Sequence, residues 1–155
     1  MPSMKSTLWM IAAIVLATQA TTSNAQSPTA GATVINSNKV AAAFAKGKPL
    51  LENSEFKVHA SRREAPGVAE IHTRDTDIIH VLEGSATLVT GGTVVESMTI
   101  TSDEIRGKEI KGGESRRISK GDVIVVPNGV PHWFKQVDGP LLYYVVKVTA
   151  ASSAK

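Results

Sequence analysis

From Phe56 to the end of the chain the apolar residues lose any helical period and fall into short β-rich segments broken by glycine or proline. That punctuation constrains the fold more than any other feature, because many short strands with regular turns lead to a sandwich or barrel. Candidate strands are 55–61, 68–74, 78–83, 85–90, 93–99, 114–119, 122–126, 132–137 and 141–148. Their turns carry Pro66-Gly67, Gly84, Gly91-Gly92, Gly112-Gly113, Gly121, Pro127-Asn128-Gly129 and Asp138-Gly139-Pro140. Residues 102–113 are polar, charged and too long for a tight hairpin. They read either as a solvated surface excursion or as a lid or interface element over the barrel mouth.

The N-terminal part follows another logic. Residues 1–25 hold no acid and one lysine, Lys5, which precedes the apolar run Leu8–Ala17 and a small polar stretch ending Ser23-Asn24-Ala25. This order predicts a cleaved signal peptide, cut after Ala25 or alternatively after Ala20, and hence a periplasmic or secreted protein with no membrane contact after cleavage. About ten apolar residues are too few for the roughly 20 that span a bilayer. A flexible segment with a short helix is expected over 26–48. Asn36-Ser37-Asn38 would cap a helix running to Ala45, with Val40 and Phe44 on one face and Gly47 beyond its end. The single folding domain is then 49–150.

Composition matters mainly through what it removes. With no cysteine, disulfides, thiolate metal sites and cysteine nucleophiles are excluded, and inner-sphere chemistry must come from imidazole and carboxylate. The formal net charge of +3 comes from interspersed charges, with every acid lying after position 51 and no long basic block. A nucleic-acid partner is not expected.

Histidine is scarce, at four residues, yet two lie in suggestive surroundings. Glu70, His72 and Arg74 alternate along a predicted strand, so their side chains share a face. Asp77 follows a short turn later. His132 opens a strand after the rigid corner Pro127-Asn128-Gly129-Val130-Pro131.

The run from Glu70 to Gly84 resembles the first cupin motif, G-x5-H-x-H-x3–4-E-x6-G. Gly121–Gln136 resembles the second, G-x5-P-x-G-x2-H-x3-N, with Gln136 in place of asparagine. The resemblance implies an all-β, cupin-type double-stranded β-helix (jelly-roll) barrel, with a short N-terminal helix here. Anchoring the first motif on Gly84 puts Asp77 at the glutamate position, His72 at the second histidine and Glu70 at the first. Glu70, His72, Asp77 and His132 are thus the expected metal ligands, for one divalent transition metal: Mn, Fe, Ni or Zn. Asp77 is one methylene short, and without it Glu70, His72 and His132 would form a facial two-histidine, one-carboxylate site. Gly67 lies nearer Glu70 than the family pattern has it, so the entry to that strand is expected to differ.

The expected function is a secreted metal-binding cupin, leaning to a dioxygenase-like oxidoreductase on a small oxygen-rich or anionic molecule. A sugar-binding module without catalysis and a cupin isomerase or lyase are the alternatives. A homodimer is expected from the resemblance. Further pocket candidates are Arg74 for an anionic group, His59 on an earlier strand, and Phe134 and Gln136, which alternation puts on the inward face of His132. Tyr144 is expected on the core face of the last strand with Leu142, Val146 and Val148. His80 should point away from the site.

Overall fold

A computed structural model describes residues 31–151, which include all of the β-rich region. The predicted leader, its cleavage site and residues 26–30 lie outside the described residues.

Helix α1, Ser37–Lys46, starts as its sequence dictates. The Asn36 side chain accepts from the Lys39 amide at 2.9 Å, and Gly47 closes the other end at φ 60°, a left-handed conformation that glycine adopts without a Cβ penalty. The strands follow as β1 (Lys48–Glu52), β2 (Phe56–Arg63), β3 (Ala69–His72), β4 (Asp75–Thr90), β5 (Thr93–Val95) and β6 (Met98–Thr101). Then come β7 (Glu104–Gly107), β8 (Glu109–Lys111), β9 (Glu114–Ser119), β10 (Val123–Val126) and β11 (His132–Thr149). Nine of these strands form one antiparallel sheet, and β5 and β8 form a separate two-stranded ribbon. The architecture is the expected all-β jelly-roll with one short helix.

Two long strands organise it. The expected strands 78–83 and 85–90 are one strand, β4, and 132–137 and 141–148 are one strand, β11. The turn residues between them bend the strands without ending them. Gly84 takes φ 78°, and a Cβ there would collide with the Pro140 carbonyl, so the two bends close against each other. Ser85–Thr90 pairs with His132–Asp138, and Asp75–Glu83 pairs with Leu142–Thr149. Conversely, the expected strand 93–99 is broken into β5 and the start of β6, and β1 was not expected as a strand at all.

The excursion 102–113 is not a bare surface loop. It supplies β7, which pairs with β3, and β8, which pairs with β5. This ribbon covers the outer side of the sheet, where Val89, Ala69 and Ile110 are buried with Trp133 packed against them. The Trp133 indole N–H donates to the Gly67 carbonyl at 2.7 Å.

Inside the jelly-roll, Ile79, Val81, Leu88, Phe134, Leu141 and Tyr143 lead the main core cluster. Each such side chain contributes about 1.5–3 kcal/mol on burial. In the first half of β4 the buried positions are Asp75, Asp77, Ile79 and Val81, so His80 is exposed, as strict alternation predicts. On β11 His132 and Phe134 are buried together as expected, but over 141–148 the expected phase is reversed. Leu141, Tyr143 and Val145 are the buried set, while Val148 is 45% exposed. Tyr144 points to the outside, where its ring meets Phe44 of α1 edge-on at 4.9 Å between centroids.

Candidate metal centre

Strand pairing builds the site. Glu70 and His72 sit two apart on β3, so both project from one face of the sheet. The β3–β11 pairing sets His132 directly opposite Glu70. Glu70 Oε2 lies 3.8 Å from His72 Nε2 and 3.9 Å from His132 Nε2, and the two imidazole rings are 5.1 Å apart between centroids. One donor atom from each of Glu70, His72 and His132 falls within 4.8 Å of the other two. Ligands about 2.1 Å from a shared ion stand roughly 3–4 Å from one another, so the three residues fit such an ion with small side-chain adjustments.

The protonation of the histidines suits this role. His132 is buried, and its Nδ1 faces the Val130 carbonyl at 3.3 Å. Donation there places the proton on Nδ1 and leaves the Nε2 lone pair directed at the site. His72 is held below its ordinary value of 6.5, first by burial and next by the Lys147 ammonium. The nearby His132 ring also lowers it, while Asp77 and Glu70 pull the other way without prevailing. Burial and the Lys147 charge thus favour a neutral, ligating His72 imidazole at pH 7.

Asp77 stands beside this triad but is differently engaged. Its Oδ2 is 3.6 Å from His72 Nε2 and 3.9 Å from His132 Nε2. Both of its oxygens, however, accept from Lys147 Nζ, at 2.8 and 2.7 Å. Asp77 thus stands as near both histidines as Glu70 does, but its two oxygens are already engaged in an ion pair. The ammonium comes from the residue paired with Asp77 on β11. The two carboxylates and one lysine leave the cluster one negative charge, against two for the ligand set taken alone.

Lys147 was not among the expected site residues, because the last strand was read in the opposite phase. The next row repeats the arrangement: Lys57 Nζ pairs with Asp75 at 2.6 Å, and the Thr149 hydroxyl donates to the same carboxylate at 2.6 Å. β7 closes another wall, with Arg106 opposite Glu70 and Glu104 opposite His72. Arg106 donates to Glu104 at 2.7 Å and lies 3.8 Å from Glu70.

Two spaces adjoin the triad. A cleft of about 450 Å³ is bounded by Lys57, His72, Asp103 and Arg106. A cavity of about 160 Å³ runs deeper, past His132, Phe134 and Tyr143. His59, Glu70 and Lys147 border both.

The remaining expected pocket residues divide. His59 faces inward and sits 2.7 Å from Glu52 Oε1, and Phe134 is buried on the wall of the inner cavity. Gln136 is exposed and donates to Asp138, because a register shift between Phe134 and Gln136 turns it off the inward face. Arg74 lies in the turn after β3, donates to the Ala150 carbonyl at 2.7 Å and faces Asp103 on the rim. Tyr144, on the outer face, does not border either space.

A family model described as Cupin matches residues 23–154, well over half of the chain. Among solved structures, a protein from Bacillus halodurans is 15% identical with a TM-score of 0.54, over 82% of this chain and 86% of that one. A protein from Neisseria meningitidis is 16% identical with a TM-score of 0.50, over 76% and 100% respectively. A cupin protein from Bacteroides fragilis is 13% identical with a TM-score of 0.48, over 71% and 83%. Among curated protein sequences none matches. At these identities the likeness is one of fold.

Proposed function

The chain belongs to the cupin family, and on that premise we propose that it is a metal-dependent oxidoreductase acting on a small oxygen-rich or anionic molecule. One observation carries the reading: Glu70, His72 and His132 bring two imidazoles and one carboxylate together on one side of a cavity. That donor set suits Mn(II), Fe(II), Ni(II) or Zn(II), and as a facial triad it is the arrangement of non-haem iron oxygenases. A metal held there would supply Lewis-acid and redox chemistry next to the substrate.

The protein's own groups do the rest. The Val130 carbonyl fixes the His132 tautomer. Lys147 bonds both oxygens of Asp77 and so holds that carboxylate beside the two histidines rather than free to turn to them. Ile79, Phe134 and Val145 line part of the inner cavity with apolar surface beside its charged groups. Elemental analysis of protein recovered from its own compartment tests the reading. About one transition metal per chain is expected. Absence of metal, with melting unchanged by added divalent ions and by chelator, would overturn it.

We further propose that the protein is exported, on the order of Lys5, Leu8–Ala17 and Ser23-Asn24-Ala25 in its leader. N-terminal sequencing of the protein from expressing cells should begin at Gln26, and an intact Met1 on the folded protein would count against export. A homodimer is part of the same proposal. It is supported by an exposed apolar stripe on the outer face, where Val125 of β10 pairs in register with Ile78 of β4 and Val123 lies next to it. Sedimentation at micromolar concentration should give a dimer that Val125→Glu dissociates, and a monomeric parent protein would refute it.

A further inference from the structure

We propose that Arg63 is the anchor for a carboxylate group of the molecule that enters the inner cavity, and so that the substrate class is a small carboxylic acid. This rests on the proposed metal site for the other end of the molecule, but the anchor itself does not need the metal.

Arg63 is the last residue of β2, on the face that carries Lys57, His59 and Ser61 inward. It borders the same cavity as Glu70 and His132. Its guanidinium carbon sits 4.7 Å from the centroid of the Phe134 ring, a cation–π contact that holds the group in place. Gly67 leaves room for it, since a Cβ at that position would collide with Arg63 Nη1.

The decisive feature is that no carboxylate among the described residues pairs with this cation. Its Nε is buried and has no hydrogen-bond partner among the described residues. Folded proteins rarely leave such a donor without an acceptor, because burial has already stripped it of water. Of the nearby carboxylates, Glu64 pairs with Arg62 and Asp77 with Lys147, while Glu70 faces the histidines and Arg106 at 3.8–3.9 Å and makes no ion pair with Arg63. The other cations of the site are compensated, Lys57 by Asp75 and Lys147 by Asp77. Arg63 is thus the position where an incoming anion meets a cation without displacing an internal partner, and a small shift of the guanidinium toward it would give the sealed Nε its acceptor.

Size and geometry select the anion. A guanidinium fork matches a planar carboxylate in a two-bond contact. A cavity of about 160 Å³ is well below the roughly 300–1,000 Å³ typical of drug-sized ligands. A short acid fits, with its carboxylate at Arg63 and an oxygen substituent toward Glu70, His72 and His132.

The test uses glycolate, with glycolamide as its neutral counterpart and inorganic phosphate as a competing anion, on both chelator-treated and metal-loaded protein. In the metal-free protein glycolate should bind weakly and glycolamide at least tenfold more weakly. Arg63→Gln should lower the glycolate affinity tenfold or more, and Arg63→Lys should restore only part of it. In the unaltered protein the Nε–H NMR signal of Arg63 should shift on titration with glycolate, a readout independent of whether the variants fold. Equal glycolate affinity in wild type and Arg63→Gln, an unmoved Arg63 signal, or a preference for phosphate would each overturn the assignment. If no metal binds but glycolate still depends on Arg63, the metal reading fails and the anchor stands. If metal tightens glycolate equally with and without Arg63, the reverse holds.

Discussion

Lys147 Nζ lies 2.8 Å from Asp77 Oδ1 and 2.7 Å from Asp77 Oδ2, so one ammonium takes both oxygens of the carboxylate nearest the histidines. Both side chains are largely buried, at 14% and 6% exposure. Removing one partner strands the other, which typically costs about 3–5 kcal/mol. Lys147→Met should therefore lower the metal-free urea midpoint strongly, and Lys147→Met with Asp77→Leu should recover part of the loss. Because the single variant frees Asp77 toward His72 and His132, divalent metal should stabilise it more than it stabilises the wild type. Calorimetric titration of both proteins with Mn(II) or Zn(II) checks this.

The triad makes a sharper claim about ligands. His132→Ala, His72→Ala and Glu70→Gln should each reduce bound metal at least tenfold by elemental analysis. His80→Ala, exposed on the opposite face of β4, should leave it unchanged. Metal retained in Glu70→Gln but lost in His80→Ala would mean that the first motif is out of register by one strand face.

Asp75 gives a pH signature. Burial works to raise its pKa above the ordinary 3.8, but the hydrogen bonds from Lys57 and Thr149, with the Lys57 charge, outweigh burial and bring it lower. A carboxylate depressed in the folded state binds its proton less readily there than in the unfolded chain. Its stabilisation is complete above about pH 4–5 and disappears as pH falls through 3.8 toward the folded value. Asp75→Asn should lower stability at pH 7 and flatten the acid limb below about pH 4. Urea midpoints from about pH 2 to 7 measure both effects. A parallel acid limb in the two proteins would exclude the assignment.

The Phe44–Tyr144 contact ties α1 to the sheet without touching the cavity. Tyr144→Ala should destabilise by about 1–3 kcal/mol, within the usual range for lost packing, and leave metal binding intact. Tyr143→Ala, a truncation on the cavity wall, should affect both. Thermal melts with and without added metal separate the two.

Several parts of this arrangement were legible from the residues alone. Glycine and proline marked the turns, alternation put Glu70 and His72 on one face, and the resemblance to the two cupin motifs joined His132 to them as candidates for one site. Alternation along β4 correctly put His80 outside. Other features were not legible because bends replaced turns: Gly84 and Gly139-Pro140 are punctuation in the sequence but kinks within β4 and β11 in the fold. Gln136 turned away for a similar reason, a register shift of one residue that no local pattern announces.

The last strand states the division most clearly. Leu141-Leu142, Tyr143-Tyr144 and Val145-Val146 are identical doublets, so hydrophobicity fits both faces equally and cannot choose between them. Only the final pair differs, and there apolarity favours Val148 over Lys147. The sequence determined that this segment is a strand, that the chain is all-β, and that imidazole and carboxylate carry any inner-sphere chemistry. Tertiary structure decided which face looks inward. Pairing with β4 sets Lys147 against Asp77, and α1 covers Tyr144. A buried ammonium becomes acceptable only when a carboxylate from a distant strand meets it, and that meeting is a property of the folded sheet.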